Sequence, residues 1–207
     1  MSYLRAHLGD VAQFLLQHVE LTAAALAIAS VIAVPLGVLA ARRPRIGQPV
    51  VALLGIIYTI PSLALLGVLV LWLGLGFWTA VVALAAYAQM MLVRNIAAGI
   101  SGVDRGVVEA ARGMGLSEWQ ILWKVERPLA MPLAIAGFRI ATVSVIAIAT
   151  VAAWIGAGGL GTLIFAGIDQ QNYAKAVIGA LAAVLLAAIA DLALRALEQR
   201  SRRLTGT

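Results

Sequence analysis

The segment Gly156-Ala157-Gly158-Gly159-Leu160-Gly161 has the spacing G-x-G-x-x-G, which in a dinucleotide-binding loop lets a pyrophosphate approach the backbone. That chemistry needs a strand before the loop, a helix after it and an acid about 20 residues on. Here a long apolar run precedes the glycines and Asp169 comes too early. Gly156, Gly158 and Gly159 are therefore read as a backbone turn that ends a span and packs closely, with a gating role also open. His7 and His18 have no carboxylate or second His at ligand spacing, so both are expected at a membrane interface and no metal site is assigned. Arg139 is the one cation well inside an apolar run, about 15 Å along a helix from Pro128. At that depth it should face the bundle or a water-filled path, or bond carbonyl groups of a neighbouring helix. The nine acidic residues include none expected at the centre of a span, which counts against a proton-driven transporter. The absence of cysteine excludes disulfides and thiolate metal sites.

The elements that must position these residues are apolar helices. The 207 residues are 63% hydrophobic and 12% charged, with mean hydropathy +1.00, far too poor in charge for a soluble domain. Five runs are long enough to cross a bilayer: 20–41, 50–73, 77–93, 129–155 and 173–194. The expected fold is all-α, a single polytopic domain over 1–207, with residues 1–18 as a separate interfacial helix. Of the 15 basic residues, twelve fall in three clusters that five spans place on one side: Arg42 to Arg45, Arg94 to Arg127, and Arg195 to Arg203. Arg5 and Lys175 fall on the other. The positive-inside rule then puts the N-terminus outside and the C-terminus in the cytoplasm. The same distribution explains the basicity as topology, with no nucleic-acid partner.

Two spans carry prolines. Pro61, flanked by Thr59 and Ser62, removes a backbone hydrogen bond and should bend its helix, with the two hydroxyls available to the freed carbonyl. Gating and ordinary kinked packing are both consistent with this. Asp191 lies four residues before Arg195 and is expected to pair with it.

The most polar segment lies between the third and fourth runs, over residues 104–128. Asp104 should cap a short helix that Gly113 and Gly115 end, because glycine accepts a left-handed C-cap. Ser117 and Gln120 form a Ser-x-x-Gln capping box that starts a second helix, with Leu116, Trp119 and Trp123 near one face, and Pro128 should stop that pattern and open the next span. A short helix with exposed tryptophans suits a groove on a cytoplasmic partner.

Glu109-Ala110-Ala111, three residues and then Gly115 resembles the EAA loop of membrane subunits of ATP-binding-cassette importers. The family pattern continues to Ile-x-Leu-Pro, where this chain has Val125-Glu126-Arg127-Pro128. Val replaces Ile and Arg replaces Leu, which touches the entry to the fourth span more than the docking turn. Segments from about Leu21 to Ile168 are similar to permease subunits of osmoprotectant importers, which carry glycine betaine, choline or carnitine. Methionine importers share the loop and a similar glycine-rich stretch.

The resemblance implies a type I importer-like permease in the bacterial inner membrane, catalysing nothing and holding no cofactor. It also implies partners: two copies of a cytoplasmic ATPase that bind ATP and Mg, a second permease subunit and an extracytoplasmic substrate-binding protein. The loop would insert into a cleft of the ATPase. The rival readings are an amino-acid permease of the same kind, or a secondary transporter in which the loop match is chance. No catalytic dyad for an intramembrane enzyme is evident.

Overall fold

The computed structural model describes residues 7–205, and all regular structure among them is helical. The elements are α1 (Leu8–Arg42), α2 (Pro44–Thr59), α3 (Ser62–Leu73), α4 (Phe77–Ser101), α5 (Arg105–Gly113), α6 (Glu118–Ile121), a π turn (Leu122–Glu126), α7 (Arg127–Ala149), a 3-10 turn (Val151–Ile155), α8 (Leu160–Asp169) and α9 (Tyr173–Thr205).

Four helical stretches are long and apolar enough to cross a membrane, and a fifth crossing exists if the bent pair α2–α3 counts as one. The first is longer than the sequence reading allowed. α1 runs 35 residues without a break, through Pro35, so residues 8–18 continue the first span and form no separate interfacial helix. Residues 1–6 of that expected helix lie outside the described residues.

The second run is where the chain departs most from a simple span. α2 and α3 meet at 98°. Pro61 lacks an N–H and its ring disfavours helical backbone at the residue before it. Ile60 accordingly sits at φ −65°, ψ 129° and Pro61 at φ −56°, ψ 135°. The proline thus breaks the helix outright where a kink was expected. Thr59 donates its hydroxyl to the Ile56 carbonyl at 2.7 Å, whereas the Ile60 carbonyl is taken by the hydroxyl of Tyr87 on α4. Ser62 begins α3 and contributes no side-chain cap.

The core sits where α1, α4 and α7 cross. Ala25, Ala29 and Ala33 form a four-residue stripe on α1, all 0% exposed, against Ala80, Val81 and Leu84 of α4 and Ala141, Val145 and Ala149 of α7. Lipid is as apolar as these side chains, so burial supplies little drive; small residues instead let helices approach and gain dispersion contacts. The outer surfaces are as apolar as the inside: Leu71, Trp72, Leu185 and Ile189 are more than 60% exposed. A surface of that kind is suited to hydrocarbon or to another transmembrane subunit.

Candidate functional site

The segment between α4 and α7 folds as its local signals dictate. Asp104 accepts from the N–H groups of Gly106 (2.7 Å) and Val107 (3.2 Å), which satisfies two orphan donors at the start of α5. α5 ends in a glycine turn: Gly115 has φ +85°, its N–H bonds the Arg112 carbonyl at 3.0 Å and the Leu116 N–H bonds the Ala111 carbonyl at 3.2 Å. Gly113 remains within α5, so the left-handed residue is Gly115 alone. The capping box closes as read. Gln120 N–H donates to Ser117 Oγ at 3.3 Å, and Ser117 N–H donates to Gln120 Oε1 at 2.8 Å.

Ile121 is fully buried and pins this second helix to the bundle, which leaves Trp119 66% and Trp123 44% exposed. Their rings meet edge to face at 5.4 Å, and the Arg127 guanidinium lies 4.9 Å over the Trp123 ring. Leu116 precedes the helix and is half-buried, so the exposed face is built by the two tryptophans. Within Glu109-Ala110-Ala111 only Ala111 is buried. Glu109 is exposed and its carboxylate makes no ion pair among the described residues.

Two features were not visible in the sequence. First, Pro128 opens α7 as expected but does not interrupt the helical backbone before it. Residues 118–149 form one helical stretch, with Pro128 in the first turn of α7 and the π turn splicing α6 onto it. Pro128 is tolerated there because a first-turn residue needs no N–H. Second, Arg42 at the end of α1 reaches across to this segment. Its guanidinium donates to Glu118 Oε2 at 2.9 Å and to Glu126 Oε2 at 2.6 Å. Arg112 completes the set by donating to Glu118 Oε1 at 2.8 Å. These hydrogen bonds, chiefly from Arg112, hold the exposed Glu118 carboxyl below the usual carboxylate range. Glu126 is 8% exposed. In the sequence Arg42 counted only as a charge that fixes topology, and nothing local marks its partners 76 and 84 residues away.

The glycine-rich turn lies beyond the other end of α7. Gly156, Gly158 and Gly159 all have positive φ, between 74° and 81°, and a 3-10 turn precedes them where a nucleotide loop needs a strand. His18 packs against it and is 0% exposed. Its Nδ1 accepts the Leu160 N–H at 3.2 Å and its Nε2 faces the Ile146 carbonyl at 3.1 Å, which requires the proton on Nε2. Gln17 Oε1 accepts the Gly159 N–H at 3.1 Å. A Cβ at Gly161 would lie 1.8 Å from the Thr150 carbonyl oxygen, so close approach requires glycine there. His7 is half-buried at the start of α1. No cluster able to hold a metal occurs among the described residues.

Arg139 also finds partners that local spacing did not suggest. Its Nε is 3.3 Å from Asp191 Oδ1 and its Nη1 is 3.2 Å from Glu198 Oε2, both on α9. Asp191 therefore pairs with Arg139 and not with Arg195. Arg139 thus faces the bundle and ties α7 to α9 through carboxylates and not carbonyls, with Arg202 sharing Glu198 at 3.0 Å. Charge pairing of this sort is how a buried or half-buried arginine is made tolerable in a span.

Fold and site together define a polytopic helical membrane protein that presents an exposed helix–turn–helix segment between two of its spans. The chain belongs to the family of binding-protein-dependent transport system inner membrane components, whose pattern matches residues 33–203. Similar proteins include the carnitine transport permease protein OpuCB of Listeria monocytogenes, 38% identical over 89% of this chain and 84% of that protein. The glycine betaine/carnitine/choline transport system permease protein OpuCB of Bacillus subtilis is 34% identical over 97% and 92%. The osmoprotectant import permease protein OsmW of Salmonella typhimurium is 37% identical over 95% and 94%. Among solved structures, an inward-facing form of the MetNI methionine ABC transporter matches with TM-score 0.84, 23% identity and coverage of 95% of this chain and 98% of that one. At that identity the likeness concerns the fold, which is that of a type I importer permease.

Proposed function

We propose that this chain is the permease subunit of an ATP-driven importer of quaternary-amine osmoprotectants such as glycine betaine, choline or carnitine. The observation that carries the substrate class is the 34–38% identity, over nearly the whole chain, to permeases named for those solutes. Family membership sets aside the secondary transporter. The chain forms half of the path with a second permease copy or a paralogue, and a separate binding protein delivers the solute. Two ATPase subunits bind ATP and Mg and receive the docking turn, with Trp119 and Trp123 as apolar anchors and Glu109 facing the partner. ATP hydrolysis resides in those subunits.

The test is uptake into vesicles that hold this chain with its ATPase and binding-protein partners. ATP-dependent accumulation of at least one of the three amines is expected. Accumulation of methionine alone would replace this reading with the amino-acid permease, which the fold of MetNI makes the natural rival.

In this reading the N-terminus is outside and the C-terminus cytoplasmic, as the basic clusters imply. The absence of native cysteine makes the orientation simple to test with single cysteines. Positions 75 and 170 should react with an impermeant thiol reagent in intact cells. Met114, 73% exposed in the docking turn, should react as Met114→Cys only after permeabilisation. Labelling of Met114→Cys from outside would remove the docking role.

A further inference from the structure

From Ile46 to Val93 the chain contains no Asp, Glu, Lys or Arg. Recognition by this stretch must come from rings, hydroxyls and backbone, and those groups gather where α2 breaks from α3. The Tyr58 ring, 41% exposed, stands on the last turn of α2 at 6.0 Å from the Tyr87 ring of α4, inclined by 74°. Tyr87 is 4% exposed, and its hydroxyl holds the Ile60 carbonyl. At the end of α2 the Ile56 carbonyl takes the Thr59 hydroxyl and the Ile57 carbonyl takes the Ile60 N–H at 3.2 Å. The carbonyls of Tyr58 and Thr59 remain. Pro61 has no N–H to offer, and no described N–H beyond the break bonds to either. They form the negative end of a 16-residue helix, inside an apolar segment where an unmet carbonyl needs a partner from protein, water or ligand.

We propose that this break is a transit site for the quaternary ammonium head of the carried solute, a role that rests on the substrate class argued above. The exposed face of Tyr58 takes the cation, Tyr87 backs that ring and fixes the break, and the carbonyls of Tyr58 and Thr59 supply partial negative charge. The chemistry suits this ion. A quaternary ammonium has no N–H to donate and spreads its charge over methyl groups, so a ring face and backbone dipoles serve it better than a hydrogen-bonding pocket. The half-helix C-terminus is a known way to hold a cation at mid-membrane without a fixed charge. Without a carboxylate the hold is weak, as a carrier that must release its cargo onward requires.

The experiment measures uptake per ATP hydrolysed by the complete complex in vesicles. The probe is choline, or glycine betaine where the wild-type complex does not carry choline. Tyr58→Phe keeps the ring and should remain within twofold of wild type. Tyr58→Trp keeps a ring while changing the packing, and should also remain within about threefold. Tyr58→Leu should fall at least tenfold. Wild-type behaviour of Tyr58→Leu overturns the site. A fall of Tyr58→Phe as deep as that of Tyr58→Leu assigns the effect to the hydroxyl, and a fall of Tyr58→Trp as deep as that of Tyr58→Leu assigns it to packing; either result overturns the site too. Failure of the wild-type complex to carry any of the three amines defeats the substrate class itself, and is seen before any substitution is made.

Discussion

A Gly115→Val variant should insert into the membrane at wild-type level and lose at least nine-tenths of its uptake. A Cβ at Gly115 would meet nothing within 4 Å, so the penalty is purely conformational. At φ +85° a β-branched residue clashes with its own backbone, at a cost of roughly 1–3 kcal/mol. That is small against a five-helix bundle but is concentrated on one turn. Moving Val into an allowed conformation breaks the bond from the Leu116 N–H to Ala111 and re-aims Ser117 and the two tryptophans. Span insertion depends on hydrophobicity and is unaffected. Gly115→Asn should be milder, because Asn tolerates the left-handed region. The measurement is uptake normalised to inserted protein, together with ATPase subunits retained on purification. Uptake of Gly115→Val equal to wild type would show that the turn at 113–118 does not transmit the ATPase stroke.

The second large effect is expected at Arg42. Its guanidinium joins three elements: its own helix, α6 through Glu118 and the π turn through the buried Glu126. Arg42→Glu sets a third carboxylate beside those two and should abolish uptake. Arg42→Ala leaves Glu126 unpaired; the cost of stranding a fully buried charge is about 3–5 kcal/mol, and less is expected here because Arg42 is 28% exposed. The informative variant is the double one. Arg42→Ala with Glu126→Ala should be less defective than Arg42→Ala alone, because nothing charged is then left buried. A coupling energy on the order of 0.5–3 kcal/mol is typical of residues in direct contact. Thermal unfolding of the purified complex and uptake should recover together. Strict additivity of the two substitutions would show that the pair does not hold α1 to the docking segment.

What could be read in the sequence was whatever is decided within about four residues. Asp104, the Ser117–Gln120 box and the positive-φ glycines follow from local backbone chemistry, and the structure has them where the spacing put them. The same local reasoning found no partner for His18 and misjudged Asp191 and the severity of the Pro61 break. His18 lies ahead of the first apolar run and carries no sign of its partners, a carbonyl 128 residues on and a backbone N–H 142 residues on. Asp191 has Arg195 one turn away, yet the less exposed Arg139 of another helix holds it. A charge that is half out of water has more to gain from a partner than one that is solvated. Pro61 bends the chain through 98° because Tyr87, on a different helix, stabilises the extended Ile60, and no property of residues 56–65 announces that support. The π turn was equally silent, since its extra residue is accommodated by packing and by the Arg42–Glu126 pair and carries no sequence mark.

The unbroken run from Glu118 to Ala149 has a mechanical meaning. At 1.5 Å per residue, 32 residues make a rod of roughly 48 Å that starts at the turn over 113–118. Each degree through which it tilts about that end sweeps the far tip by about 0.8 Å for a rod of that length. Ile146, near that tip, faces His18 through its carbonyl, and His18 in turn holds the glycine turn through Leu160. The lever is thus pinned at both extremities to α1, by Arg42 at one and His18 at the other. In the coupling proposed above, the motion of this rod is confined to what α1 can follow, and the first helix serves as its frame.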